Sequence, residues 1–320
     1  MKLLITGATG LIGRAIVELS NKQGIPVNYL TTDRTKIVSN DNFNGYYWNP
    51  DQNEIDLSCF EGVTAIINLA GSSIAKKWTA DNKNEILSSR INAIKTLNYA
   101  LGKTDSKKIT SFVSASAIGI YPSSLSHFYT EEELRIDDSF LGEVVHEWEK
   151  EIDTLEHFGI PFSKVRIGMV LSKDGGVLPE LAKPIKSFVG STFGNGKQWQ
   201  SWIHIVDLAR LFLFIVENQL CGTYNGVSPN PITHKKMVHE VAKVFNKPLL
   251  LPNIPWLFMK LVLGEMSYLL FASQRVSSKK IAEEGFAFEY PNFANALQQF
   301  YNGGYENNSV NDFETEDFLS

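Results

Sequence analysis

Two cysteines in 320 residues, Cys59 and Cys221, are too few and too far apart for a disulfide framework or a thiolate metal site. That scarcity fits a reducing compartment. No His-Glu-x-x-His or Cys-x-x-Cys occurs, which removes the common zinc motifs. The chain opens directly on Lys2-Leu-Leu-Ile-Thr6 with no basic segment leading into an apolar one, so no secretory signal and a cytoplasmic location are expected. No internal repeat is present. No run approaches the twenty or so uncharged apolar residues that a spanning helix needs. The most apolar late stretch, Pro255 to Phe271, is broken by Lys260, Gly264 and Glu265. It reads as one or two amphipathic helices packed on the core or on a partner rather than as a membrane segment. A basic excess is missing too: 30 Lys and Arg stand against 35 Asp and Glu. Five of the acids, Glu306, Asp312, Glu314, Glu316 and Asp317, fall in residues 303–320, which hold no Lys or Arg. The remainder is neutral overall, so no nucleic-acid surface is expected, and the tail reads as a disordered acidic end.

What is present is a 43% hydrophobic composition, enough for a sizeable buried core, and a pointed motif at the start. Leu3-Leu-Ile-Thr6 is followed by Gly7-Ala-Thr-Gly10-Leu-Ile-Gly13 and then by apolar residues at Ala15, Ile16 and Leu19. This spacing predicts strand, tight turn and helix. Backbone N–H groups at such a turn can approach a pyrophosphate, and the helix N-terminus adds partial positive charge. A Cβ at Gly7 or Gly10 would block the turn or the phosphate, and one at Gly13 would push helix from strand.

Pro26 to Thr31 reads as the second strand, whose end should meet the adenosine ribose. Asp33, twenty residues after Gly13, could bind the ribose hydroxyls and favour NAD. Arg34 and Lys36 could instead pair with a 2′-phosphate and favour NADP. Val63 to Gly71 reads as a buried strand with a small-residue exit, and Lys77 and Trp78 follow at the same sheet edge. A helix is predicted over Asp81 to Leu101, with Asn92 either bridging to the neighbouring loop or lying on the surface. Ile109 to Ser116 is a strand leading to Tyr121. Ser114, Ser116 and Tyr121 are the catalytic candidates: a serine hydroxyl can hold a substrate oxygen, and a phenol can relay a proton. Helix is expected from about Phe140 to Phe158, strand over 160–168, and an apolar helix after Ser201 to Arg210. There His204 and Asp207 are expected to buttress loops rather than react.

Taken together, Thr6 to Gly13, Asn68-Leu-Ala-Gly71, Asn92-x-x-x-Thr96, Ser114-Ala-Ser116 with Tyr121, and Trp202 to Leu208 resemble the extended short-chain dehydrogenase/reductase superfamily, the NAD(P)-dependent epimerase/dehydratases. Four stretches are similar to an epimerase-like subgroup of NADP-dependent oxidoreductases with a C-terminal domain of unknown function. These are Ile67 to Ile74 with Lys77-Trp78, Ser114 to Gly119, Gly196 to His204, and Leu263-Gly-Glu-Met266 with Gln274-Arg-Val276. The resemblance implies an α/β fold: a Rossmann-like doubly wound parallel sheet with a smaller, mainly helical C-terminal substrate lobe. The division expected is a dinucleotide-binding domain over 1–230, contributing part of the substrate pocket from 168–205, a helical lobe over 231–302, and the tail. The expected cofactor set is Gly7, Thr9, Gly10, Leu11, Ile12, Gly13, Arg34, Leu69, Ala70, Gly71 and Arg90. NADP is expected from Arg34 and the subgroup, with NAD the alternative that Asp33 leaves open.

One departure matters. The superfamily's catalytic tyrosine, and the lysine four residues after it, would fall at Leu141 and Val145, which can do neither job. Tyr121, Tyr129 and His146 are the nearby substitutes. The implied activity is reversible hydride transfer on a small polar substrate such as a nucleotide sugar, by an oxidoreductase or epimerase. The alternative is a dinucleotide sensor or scaffold without turnover. A homodimer is the assembly to look for, with no nucleic-acid or membrane partner.

Overall fold

The computed structural model describes residues 1–302, so the tail expectation over 303–320 lies outside the described residues. The central sheet has eight strands: β1 (Leu3–Thr6), β2 (Val27–Thr31), β3 (Phe43–Asn49), β4 (Glu54–Ile55), β5 (Ala65–Asn68), β6 (Ser111–Ala117), β7 (Phe162–Ile167) and β8 (Gly222–Gly226). They lie in the order β8-β7-β6-β5-β1-β2-β3-β4. Every pairing is parallel except that of β3 with β4. Chain order reverses between β1 and β5, and an open sheet offers its ligand crevice beyond the strand C-termini at that switch. β1 and β5 are buried at every position. Helices cover both faces of such a sheet, so these strands carry near-continuous apolar runs instead of an alternation.

The main helices are α1 (Leu11–Lys22), α2 (Ala80–Leu101), α3 (Phe140–Asp153), α4 (Val177–Lys186), α5 (Ile205–Glu217), α6 (His234–Val244), α7 (Trp256–Leu263) and α8 (Phe293–Asn302). α1 packs with α5, and α2 with α3. Side-chain caps start several of them: Thr79 Oγ1 accepts from Asn82 N–H, Ser139 Oγ from Gly142 N–H and Thr233 Oγ1 from Lys236 N–H. Each such cap contributes about 1 kcal/mol. A first apolar cluster lies against the sheet. A second joins Leu171, Leu178 and Trp202 to Met237, Val241 and Leu297, so it draws on chain from both sides of residue 230.

Of the two placements expected for this stretch, on the core or on a partner, α7 does not take the first. It packs on the turn Gly264–Ser267, while Leu257 and Leu261 are 71% and 85% exposed. The helix has apolar residues all round except Lys260, so it has no polar face to turn towards solvent once one side is covered. Among the described residues no helix is long and apolar enough to cross a membrane.

Two buried imidazoles set an acid limit. His204 stacks between Tyr290 and Phe300, and its Nδ1 accepts the Val206 N–H at 3.2 Å at the start of α5. His234 stacks on Phe193, and among the described residues its Nε2 has no partner. Burial lowers both from 6.5 to about 4. Between those values the folded state holds fewer protons than the unfolded chain. Stability is therefore full above pH 6.5 and falls as pH drops towards 4. Asp207 acts in the opposite sense, because burial raises it despite the N–H groups of Glu289 and Tyr290. The urea midpoint is expected to be lower at pH 5 than at pH 7, and His234→Phe, which keeps the stacking, to shrink that drop. An undiminished drop in the variant would remove His234 from the account.

Candidate functional site

The turn after β1 is set by three backbone approaches. Gly7 has φ +68°, and a Cβ there would stand 2.9 Å from Leu69 O at the exit of β5. A Cβ on Gly13 would stand 2.3 Å from Gly7 O and 2.6 Å from Ala8 Cα. Gly10 is different: its Cβ would meet only Gly7 O, at 3.2 Å. Gly10 is also the N-cap of α1 and supplies no side chain to its first N–H groups. The first helical bond runs from Arg14 N–H to Gly10 O at 2.9 Å. The N–H groups of Leu11, Ile12 and Gly13 are thus left for a ligand, at the positive end of a twelve-residue helix. A bare helix start with space above Gly10 fits the diphosphate of a dinucleotide coenzyme.

A polar rail fixes the neighbouring strand ends. Thr6 Oγ1 accepts from Leu69 N–H at 3.0 Å and from Ala70 N–H at 3.1 Å, and donates to Asn68 Oδ1 at 2.7 Å. Asn68 Nδ2 donates to Ser114 Oγ at 3.0 Å. Thr6, Asn68 and Ser114 are fully buried, so every one of these bonds matters for the shape of the switch point. The exit Leu69-Ala70-Gly71 is held open over the crevice as a result.

Asp33 lies two residues beyond the end of β2. Its carboxylate accepts from Thr35 N–H and from the Thr35 hydroxyl, bonds that hold its pKa below the ordinary value. Arg34 lies with its guanidinium carbon 3.5 Å from the centre of the Tyr47 ring, on β3. Among the described residues it makes no hydrogen bond or ion pair, so its donors are available. Arg90, on α2, reaches the β5 exit, and a Cβ on Gly71 would stand 3.1 Å from its Cζ. Its Nη1 donates to Ser72 O and Ile86 O at 3.2 and 2.7 Å, and no carboxylate pairs with it among the described residues. Burial lowers its pKa to about 10. A half-buried cation lacking a counter-charge, at the edge of the crevice, suits an anionic ligand.

The three hydroxyls predicted as catalytic are buried and engaged. Ser114 donates to Ala115 O at 3.0 Å while accepting from Asn68. Ser116 donates to Glu149 Oε1 at 2.6 Å. Tyr121 donates to Asn225 Oδ1 at 2.7 Å and accepts from Arg166 Nη1 at 3.0 Å. Burial, partly offset by Arg166, pushes the Tyr121 phenol up to about 12. Arg166 makes two 2.8 Å bonds to Glu149. Burial would raise the Glu149 carboxyl, but Arg166, Ser116 and Lys164 outweigh it and hold it below its ordinary value. Removing one partner of such a buried pair costs about 3–5 kcal/mol. This network ties β6, β7, β8 and α3 together.

A pocket of about 80 Å³ opens at the C-terminal edge of the sheet between Gly119, Leu141, Met169, Ser201, Tyr268 and Gln274. Leu141 and Val145 are the two residues nearest a Cβ built on Gly119, so the expected apolar replacements do face the exit of β6. Its lining contains none of the three predicted hydroxyls. It does contain Tyr268, which sequence reasoning missed. Tyr268 Oη donates to Asp137 Oδ2 at 2.6 Å across a separation of 131 residues. No local pattern joins two such positions. Trp78 anchors its loop, donating to Ile74 O and meeting Phe140 edge-on. Asn92 lies on the surface side, where it donates to Asp51 Oδ1 at 3.0 Å, and so does not bridge to the β5 exit. His204 and Asp207 buttress, Asp207 accepting from the N–H groups of Glu289 and Tyr290 at 2.8 and 2.9 Å.

Comparison with known proteins gives the following. A family model described as the NAD dependent epimerase/dehydratase family matches residues 3–225, and one described as a domain of unknown function matches residues 254–300. The epimerase family protein YfhF of Bacillus subtilis (strain 168) is 36% identical over 305 residues, covering 93% of this chain and 97% of its own. An epimerase family protein of Staphylococcus aureus (strain N315) is 34% identical over 299 residues, covering 92% and 97%. Among solved structures, human epimerase family protein SDR39U1 with NADPH superposes with a TM-score of 0.80 at 24% identity, over 95% of this chain and 100% of that one, a likeness of fold. A nucleoside-diphosphate sugar epimerase from Corynebacterium glutamicum gives 0.74 at 26% identity, over 94% of this chain and 58% of that one.

The glycines separate folding from binding. Gly13→Ala forces backbone apart and is expected to destabilise by about 1–3 kcal/mol or more. Gly10→Ala should fold with a near-normal urea midpoint yet lose about tenfold or more in NADPH affinity by fluorescence titration. Unchanged affinity in a folded Gly10→Ala protein would contradict the placement of the diphosphate.

Proposed function

The chain belongs to the NAD-dependent epimerase/dehydratase family, and from that premise we propose that it binds NADP(H) and catalyses reversible hydride transfer on a small polar substrate, such as a nucleotide sugar. The observation that carries the reading is the uncapped start of α1 above Gly10. The N–H groups of Leu11, Ile12 and Gly13 hold the diphosphate, with Gly7 and Thr9 shaping the turn. Leu69, Ala70 and Gly71 line the path between the two halves of the coenzyme, and Arg90 supplies positive charge there. When bound, the coenzyme supplies or accepts the hydride. The reacting end of the substrate meets the pocket between Gly119 and Tyr268, which draws on 168–205 and on the C-terminal lobe. Ser114, Ser116 and Tyr121 help to tie the strands together. Their hydroxyls are committed to the interior, so they orient the strand end that the substrate meets.

Preference for NADP over NAD follows from Arg34 and Asp33 together. The Asp33 carboxylate is occupied by Thr35, which weakens its claim on a ribose. Arg34 lies over the Tyr47 ring, and among the described residues its donors have no partner, a setting suited to a phosphate. A second reading, coenzyme binding without turnover, is favoured by Leu141 and Val145, which put neither a proton donor nor a cation opposite Gly119 at the exit of β6.

Arg34→Ala is expected to weaken NADPH binding by about 10- to 100-fold, the worth of a charged hydrogen-bonded contact, and to leave NADH binding nearly unchanged. Fluorescence titration with both reduced coenzymes reads the two effects. An equal loss for both, or none for either, would count against the 2′-phosphate assignment. A panel assay of alcohols, ketones and nucleotide sugars separates the two readings, because coenzyme binding with no turnover on any of them favours the second.

A further inference from the structure

Among the described residues the pocket at the sheet edge has one ionisable side chain in its lining, and it comes from late in the chain. We propose that Tyr268 is the proton-exchanging residue of the reaction, with the Asp137 carboxylate behind it as the second station of a relay. The proposal rests on the hydride-transfer reading above and names the residue that this reading otherwise lacks.

The other polar side chains of the pocket each make at least one hydrogen bond within the chain. Trp199 Nε1 donates to Leu125 O at 3.1 Å and Gln200 Nε2 to Ala272 O at 3.4 Å. Ser201 Oγ donates to Gln274 O and accepts from Val276 N–H, both at 2.9 Å. Gln274 Nε2 donates to Tyr121 O at 2.6 Å. Tyr268 is half-buried. Its hydroxyl proton points to Asp137 Oδ2, and a phenol that donates one bond keeps an oxygen lone pair with which to accept another. Tyr268 lines the pocket together with Leu141.

Asp137 is held in place behind Tyr268. It is 6% exposed, and neither Lys nor Arg pairs with it among the described residues. Ser139 N–H donates to Oδ1 at 3.0 Å and Ser123 N–H to Oδ2 at 3.2 Å, which fixes the carboxylate at the entry to α3. Burial, and then the hydrogen bond and charge of Asp137, raise the Tyr268 phenol. It therefore keeps its proton until a substrate hydroxyl delivers another. The segment carrying it is pinned by the ion pair of Lys83 with Glu265 and by Ser267 Oγ donating to Gly264 O at 2.7 Å. Lys83 itself lies 5.1 Å from the Phe140 ring.

In the oxidising direction the carbinol C–H bond breaks and its hydride passes to the oxidised nicotinamide coenzyme. The carbinol O–H bond breaks and its proton passes to Tyr268 Oη. The Tyr268 O–H bond breaks and that proton passes to Asp137 Oδ2. The alcohol becomes a carbonyl, the coenzyme is reduced, and neutral Asp137 later releases its proton to water. Reduction runs the same transfers in reverse.

The test uses the full chain, isotope-labelled at tyrosine Cζ and loaded with NADP+, titrated with small alcohols, UDP-glucose and UDP-glucuronate. The tyrosine resonance missing from Tyr268→Phe should be the one that shifts with whichever compound the wild type oxidises. Tyr268→Phe should bind NADPH normally and lose about 10² or more in kcat. Asp137→Asn should lower kcat with little change in KM. Tyr268→Phe leaves the Asp137 bonds to Ser123 and Ser139 in place, so it decides the matter if the Asn variant fails to fold. Wild type that binds NADP+ and oxidises nothing overturns the hydride-transfer reading and the relay with it. Turnover retained in Tyr268→Phe, or a shift confined to another tyrosine, overturns the relay alone.

Discussion

The closeness of α1 to β1 is the constraint from which the rest of the site follows. Gly13 lies so near the Gly7 carbonyl, and Gly7 so near the Leu69 carbonyl, that a single methyl group at either position has nowhere to go. Bringing these backbones together aims the start of α1 into the crevice between β1 and β5. No side chain caps it, so the helix presents donors and partial positive charge where an anion would lie. A capped helix would gain about 1 kcal/mol of stability at this point and lose the site.

Around that fixed point the structure spends its buried polar groups on positioning. Thr6, Asn68 and Ser114 bind three adjacent strand ends into one edge. Glu149, Arg166, Ser116 and Tyr121 do the same one layer further out. Low surrounding polarity makes each satisfied bond stiff and each missing one costly. The hydroxyls that look reactive in the sequence are therefore the ones holding the strands together. The pocket's own ionisable group arrives from the C-terminal region instead.

The sheet and most helices were legible because their signals are local. Leu3-Leu-Ile-Thr6, Ala65-Ile-Ile-Asn68 and the glycine spacing need only a few neighbouring residues to be read. The caps at Thr79 and Ser139 are equally local. Three features were not legible for a stated reason. The role of Asp33 depends on Thr35 claiming its carboxylate, a matter of side-chain direction. The exposure of α7 depends on there being no facing element among the described residues, which an apolar run cannot disclose. Tyr268 meets Asp137 across 131 residues, and a contact of that sequence separation leaves no periodicity.

The claim beneath all of this is that the first N–H groups of α1 hold the coenzyme's diphosphate. A crystal structure of the chain grown with NADPH tests it most directly. Diphosphate oxygens within hydrogen-bonding distance of the Leu11, Ile12 and Gly13 amides would be the predicted result. NADPH with its diphosphate bound away from that helix start, or no NADPH bound at saturating concentration, would contradict it.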